Sequence, residues 1–381
     1  MRNHRQNWLD IFSTFRVAFD FRKMVLGTFG VFVTIIVLGA IFGLASTDAF
    51  WPSIIDRTEH CIGAPEQHLG ETVRVVWDRY REALAHPFRL PSEGPGLAEL
   101  AFVDGTIVVM LLWWGLIGGA ISRLAAVDFA KDRRLSVTEA FGFACRKLGS
   151  FFWSPLLPLV FIVILLACNA LLGAVGRIPG AGPIVVGLGY WLAAVSSFLV
   201  LLLAIGGSLG MMYMWPTIAM EGTDTFDAVS RSFAYLYSRP WKTAWCFLVA
   251  WVYGAVCMAF AVVFTVALLY VTQASVAFGL GRPQMSFLNS TALWSRSLAL
   301  DAGFSEKTGA VLVCTVHLMV WGLLLGFWAS FKLSAMTVIY AVIRRDVDGV
   351  DMSEVFLPEP EEAEVETATE PASETEDSAQ S

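Results

Sequence analysis

Residues 214–245 read MWPTIAMEGTDTFDAVSRSFAYLYSRPWKTAW. An apolar run ends at Glu221, Gly222 breaks it, and Asp224 opens a short segment whose apolar residues Phe226, Val229, Phe233 and Leu236 recur at helical spacing. The chain then passes Arg239, Trp241 and Lys242 into another apolar run. This is the pattern of an elbow: a membrane helix, a short amphipathic helix lying in the interface, and a basic and aromatic headgroup belt before the chain re-enters lipid.

The same signal recurs in both directions. SVTEAF at 136–141, DTFDAV at 224–229 and DMSEVF at 351–356 share the order cap, two residues, acid, small apolar, larger apolar. Ser136 with Glu139, and Asp351 with Glu354, have the spacing of a capping box, and Asp224 with Asp227 is a weaker copy. Val137, Ala140, Phe141, Ala144 and Leu148 make a stripe after the first cap, and Trp8, Ile11, Phe12, Phe15 and Phe19 make one near the N-terminus. Each elbow follows an even-numbered apolar span. The last cap is expected to start a fourth interfacial segment that runs into the tail.

Composition fixes the setting of these elbows. Of 381 residues 56% are hydrophobic and 15% charged, and the excess collects in runs long enough to cross about 30 Å of hydrocarbon as helix. Six spans are expected, at 24–47, 102–123, 151–174, 184–215, 244–272 and 308–331, and the bilayer interior requires each to be helical. The first is expected to be an uncleaved anchor, because 23 residues precede it. Arg and Lys cluster before span one and at the elbows, which predicts a bacterial inner-membrane protein with both termini cytoplasmic. The fold class is therefore all-α: a polytopic bundle of six transmembrane helices arranged as three hairpins, each preceded by an interfacial helix. Residues 1–357 form the membrane domain, with outer loops at about 48–101, 175–183 and 273–307.

The net charge of −7 comes from one end of the chain. Of 33 acids, 13 lie in residues 346–381, which hold no Lys or Arg, so the remainder carries 26 bases against 20 acids. The tail at 358–381, rich in Glu, Thr, Ser and Ala, is expected to be disordered and to meet other membrane or cytoplasmic proteins.

Close helix packing has its own signature. GLIGG at 115, GGSLG at 206 and GLLLG at 322 place GxxxG on every even span, and GAIFG at 39 adds one on the first.

Candidate chemical groups are few. Asp104, Asn169 and His317 are the polar residues expected within the spans, and Arg123 and Lys332 are expected to snorkel to the interface. No carboxylate lies at the centre of a span, which weakens ion-coupled transport. His60, Cys61, Glu66, His68 and Glu71 form a loose outer cluster that fits no closed zinc pattern, and residues 346–357 lack the Gly and Glu positions of a calcium loop. No phosphate loop, dinucleotide fingerprint or metalloprotease motif is present. Neither a cofactor nor nucleic-acid binding is expected; the expected partner is membrane lipid.

Two resemblances extend this reading. GGSLG with Ser208, together with His317, resembles the rhomboid intramembrane proteases. At about 1.5 Å per residue, however, these two lie roughly 20 Å apart in depth, whereas a nucleophile and its base must approach within about 3 Å. The elbow at 214–245 is similar to the membrane domain attached to some bacterial glycerophosphodiester phosphodiesterases. That resemblance implies a helical membrane module without the catalytic barrel. The leading expectation is a non-catalytic scaffold or accessory subunit, with a permease for a small or lipidic solute as the alternative and an intramembrane serine hydrolase behind both.

Overall fold

The computed structural model describes residues 8–45, 97–281 and 303–357. A 3-10 turn at Trp8–Ser13 leads into α1 (Thr14–Ala18), α2 (Phe21–Ala45), α3 (Leu97–Lys131), α4 (Val137–Arg146) and α5 (Leu148–Val175). Then follow α6 (Gly182–Glu221), α7 (Thr225–Ser238), α8 (Pro240–Leu280) and α9 (Phe304–Asp348). Among the described residues there is no strand. Helices α2, α3, α5, α6, α8 and α9 are long and apolar enough to cross a membrane, so the protein is a membrane-embedded, multi-pass helical bundle.

The helices overrun the spans expected from hydropathy. Those spans stop at 123, 215 and 331, yet α3 continues to Lys131, α6 to Glu221 and α9 to Asp348. Arg123 and Lys332 lower local hydropathy without interrupting the backbone ladder. Beyond them the helices pack on each other as in a water-soluble core: Ala125, Ala126, Val127 and Phe129 of α3 are buried with Val338, Ile339 and Tyr340 of α9. The outer loops shrink accordingly, since α3 begins at Leu97 and α8 reaches Leu280. Away from this elbow end the surfaces are apolar and open, for example Leu171 of α5, Trp191 of α6, Phe260 of α8 and Met319 of α9. Those side chains face lipid.

Consecutive membrane helices touch, α2 with α3, α5 with α6 and α8 with α9, and α9 also closes against α2. Lipid is as apolar as leucine, so what brings helices together is shape. At the α2–α9 crossing the backbones meet: a Cβ on Gly27 would lie 2.6 Å from Gly326 O. The Thr28 hydroxyl lies there too, 2.8 Å from Met24 O and 3.1 Å from Gly322 O. The other two GxxxG motifs act as sockets for rings. Gly115 and Gly119 seat Phe151 of α5, while Gly206 and Gly210 seat Phe233 of the short helix α7. The α6 motif thus serves an elbow helix, which departs from its expected use between two membrane helices. Side chains of 39–45, including the GAIFG motif, lie outside the described residues.

The amphipathic elbow helices also turn differently from their sequence stripes. In α7 the buried residues are Ala228, Ser232, Tyr235 and Leu236, while Phe226 is 72% exposed. Ala228 and Ser232 face protein beside Tyr235 and Leu236, and the Phe226 ring is left exposed. At the N-terminus, Trp8 packs edge-on against Trp245 and Phe12 against Tyr253, which ties the first turns to α8.

Gly27→Ala should destabilise the bundle by roughly 1–3 kcal/mol, because the new methyl meets backbone that cannot move aside. Gly187→Ala, whose Cβ would meet nothing within 4 Å, should be neutral or stabilising. Thermal unfolding in detergent distinguishes the two, and equal behaviour would refute the close crossing.

Candidate functional site

The three elbow caps resolve into different local structures. At Ser136 the capping box is complete: Glu139 N donates to Ser136 Oγ at 3.2 Å, and Ser136 N donates to Glu139 Oε2 at 3.2 Å. Asp224 occupies the N-cap position of α7 in an extended conformation, but its carboxylate makes no cap bond and pairs with Lys147 of the other elbow at 3.2 Å. Asp227 sits one turn before Arg231, whose Nε lies 3.1 Å from both of its oxygens.

Asp351 and Glu354 depart from the expectation of a fourth interfacial helix. Asp351 Oδ1 accepts from Ser353 N at 2.7 Å, the Glu354 amide bonds Asp351 O at 3.0 Å, and residues up to Leu357 are irregular. Two forces explain this. Pro358 disfavours helical conformation at Leu357, and the backbone here is used in tertiary contacts. Phe356 N donates to Met220 O at 2.7 Å, and Phe356 O accepts from Arg123 at 2.6 Å. Met352 and Val355 are buried beneath. Gly222, at φ +66°, makes room for the Phe356 ring: a Cβ there would lie 2.5 Å from it, and the left-handed backbone itself favours glycine.

Around this strap lies a knot of charge. Glu221, the last residue of α6, is 7% exposed. Its carboxylate faces Arg231 of α7 at 2.5 Å and accepts from the Tyr340 hydroxyl of α9 at 2.5 Å. Arg344 Nε lies 2.9 Å away, close enough for an ion pair but out of line for a hydrogen bond. Arg344 also donates to Glu354 O at 3.0 Å. Arg123 of α3, only 2% exposed, donates to Ala219 O at 2.7 Å and packs 4.3 Å over the Phe143 ring. Instead of snorkelling, it crosses the core and joins three segments. Tyr235 donates to Asp348, and Lys242 pairs with Asp346 at the rim.

The elbow charges are tuned by this company. Burial pulls the Arg231 guanidinium down, but the hydrogen bonds it donates to Asp227 and the nearby Glu221 carboxylate outweigh this and hold the group above its ordinary range. Burial, then Asp348, push the Tyr235 phenol upward. Glu221 thus meets one phenol and two guanidiniums, and Arg123 is spent on two carbonyls, an arrangement that fixes geometry and leaves these groups engaged within the fold.

Asn169 and His317, expected within the spans, are not brought together. Asn169 joins α5 to α6, its Oδ1 accepting from Ser196 at 2.6 Å and its amide lying 3.4 Å from Ser197. His317 joins α9 to α8: its Nδ1 lies 2.8 Å from Val313 O and its Nε2 2.8 Å from the Gln273 amide. A neutral ring protonated at Nδ1 satisfies both. Ser208 donates to Ala204 O at 2.7 Å within its own helix, so the serine and the histidine have separate partners. Asp104 lies in α3, and its side chain is outside the described residues, as is the cluster from His60 to Glu71.

No family model, curated protein or solved structure matches the chain.

Removing one partner of a buried pair strands the other charge, at a cost of about 3–5 kcal/mol. Glu221→Ala should therefore unfold or severely destabilise the protein. Asp346→Asn, at a pair about a third exposed on each side, should cost about 0.2–1 kcal/mol. Denaturation of the purified variants in detergent checks the order, and comparable losses would show that Glu221 is not the tie.

Proposed function

We propose that the protein is a non-catalytic scaffold or accessory subunit of a bacterial inner membrane, built as three hairpins with both termini cytoplasmic. One observation carries this reading. Among the described residues, Glu221, Arg123, Arg344 and Lys23 have buried charged side chains that each contact other parts of the chain at the elbow end. Such an end is a rigid platform from which residues beyond Leu357 can be presented. The orientation is supported by Arg22, Arg134, Lys147, Arg239 and Arg345 at the same end, where the positive-inside tendency places cytoplasmic residues. The elbow at 214–245 fits a membrane module like those attached to glycerophosphodiester phosphodiesterases, with partners supplying chemistry.

A permease is the second reading, favoured by the helix arrangement. Although α7 links them, α6 and α8 do not pack along their length and meet at the elbow end, where Tyr213 lies against Phe247. The Asn169 pair ties α5 to α6 and the His317 pair ties α8 to α9.

Deleting residues 358–381 should remove at least one protein that crosslinks to the full chain in cells, and a carboxyl-terminal fluorescent fusion should glow in the cytoplasm. An unchanged crosslinking set rejects the scaffold role of the tail, and a periplasmic carboxyl end rejects the topology. Stabilisation of the purified protein by a small solute, lost in His317→Ala or Asn169→Ala, would establish the permease instead.

A further inference from the structure

Where the N-terminal turn meets the end of α3, a cleft of about 560 Å³ opens, lined by Arg16, Asp20, Phe21, Arg22, Asp128 and Arg134, with Phe19 and Asp132 completing it. Its depth is defined by the helices that form it. Phe21 begins the first apolar span and Lys131 ends the second, so the cleft lies at the ends of two membrane helices. Phe19 and Phe21, 64% and 72% exposed, stand at its rim as aromatic rings do at membrane-helix ends.

Some lining groups are already spoken for. Asp128 accepts from Lys23, itself almost fully buried, at 2.9 Å, and Asp132 faces Arg16 at 3.3 Å. The rest are not neutralised. Among the described residues Arg22 uses one guanidinium nitrogen on Leu135 O at 2.9 Å and touches no carboxylate, and Arg134 makes no ion pair. Asp20 accepts only the Arg22 amide at 3.0 Å, with no cation beside it among the described residues. Two guanidiniums and one carboxylate thus face the same open space.

We propose that this cleft binds the headgroup of an aminophospholipid, its phosphate between Arg22 and Arg134 and its ammonium on Asp20. Guanidiniums are suited to phosphate oxygens, which they can grip through paired N–H donors. A headgroup carrying phosphate alone would leave Asp20 unanswered and place its charge near three carboxylates. A zwitterion answers both signs. The acyl chains then lie along the exposed apolar face of α2 formed by Val25 and Phe29. Only a headgroup layer at the elbow end is required, so the site stands apart from the scaffold reading and from which face of the membrane that end meets.

The test uses the full chain purified in a neutral detergent and titrated with short-chain phosphatidylethanolamine, phosphatidylcholine and phosphatidylglycerol, read by thermal shift and by lipid adducts in native mass spectrometry. Phosphatidylethanolamine should bind tightest. Arg22→Ala with Arg134→Ala should weaken it and phosphatidylcholine together by roughly tenfold, the loss expected for a charge-assisted hydrogen bond. Asp20→Asn, which retains the residue's capacity to cap α2, should abolish the preference for the primary amine over its trimethylated counterpart while leaving the melting point without lipid unchanged. Equal binding of all three lipids, tighter phosphatidylglycerol, or a preference that survives Asp20→Asn would overturn the proposal.

Discussion

Glu221 is the fixed point of the molecule. It ends a 40-residue helix and accepts contacts from α7 and α9 at once, so one carboxylate ties three elements together. Within lipid, burying leucine against leucine gains almost nothing over leaving it in hydrocarbon. Cohesion must then come from polar ties, from close backbone approach, or from a region outside the lipid where apolar burial regains its drive. The elbow end uses all three. A buried carboxylate with three partners costs much to desolvate, and it is tolerable only because the partners are complete.

The elbow helices follow from that constraint. Once α6 has been fixed at Glu221, Gly222 turns the chain and α7 returns along the glycine face of α6, where Phe233 fills the notch and Tyr237 donates to Leu202 O at 2.7 Å. Short amphipathic helices are marginal alone. Here α7 is stabilised by its fit to a membrane helix and by Arg231, whose guanidinium spans Asp227 within the helix and Glu221 outside it. The Ser136 elbow relies more on its own capping box, and Lys147 at its far end reaches Asp224, so the two elbows brace each other.

Apolar length and periodicity made the membrane helices and two of the three elbows legible in the sequence, because those signals act locally. The polar pairs were only half legible. Asn169 and His317 stood out as costly residues in lipid, but Ser196 and Gln273 could be recognised as their partners only once helix rotation was known. Glu221 was missed because an acid just past an apolar run looks like a helix end in solvent. Arg123 looks in the sequence like a snorkelling base for the same reason. Hydropathy registers a charge as an exit from lipid and carries no information on whether protein or water waits beyond it. The cap at Asp351 misled for a different reason: the motif matched, but Pro358 downstream and the tertiary pull of Met220, Arg123 and Gly222 on Phe356 outweighed a local preference worth about 1 kcal/mol.

That last contest says how the ends of the chain are coupled. Arg123 donates one nitrogen to Ala219 O on α6 and the other to Phe356 O on the strap, so a single guanidinium couples the position of residues 350–357 to the last third of α3. Arg344 does the same from α9, with one edge toward Glu221 and the other on the Glu354 carbonyl. Pulling residues 350–357 away would leave both guanidiniums short of an acceptor inside a region that water barely reaches. An uncompensated buried cation is among the more expensive defects a fold can carry. The strap is therefore part of the core that closes the bundle, and a load applied beyond Leu357 would be felt first by Arg123 and Arg344 and through them by α3, α6 and α9 together.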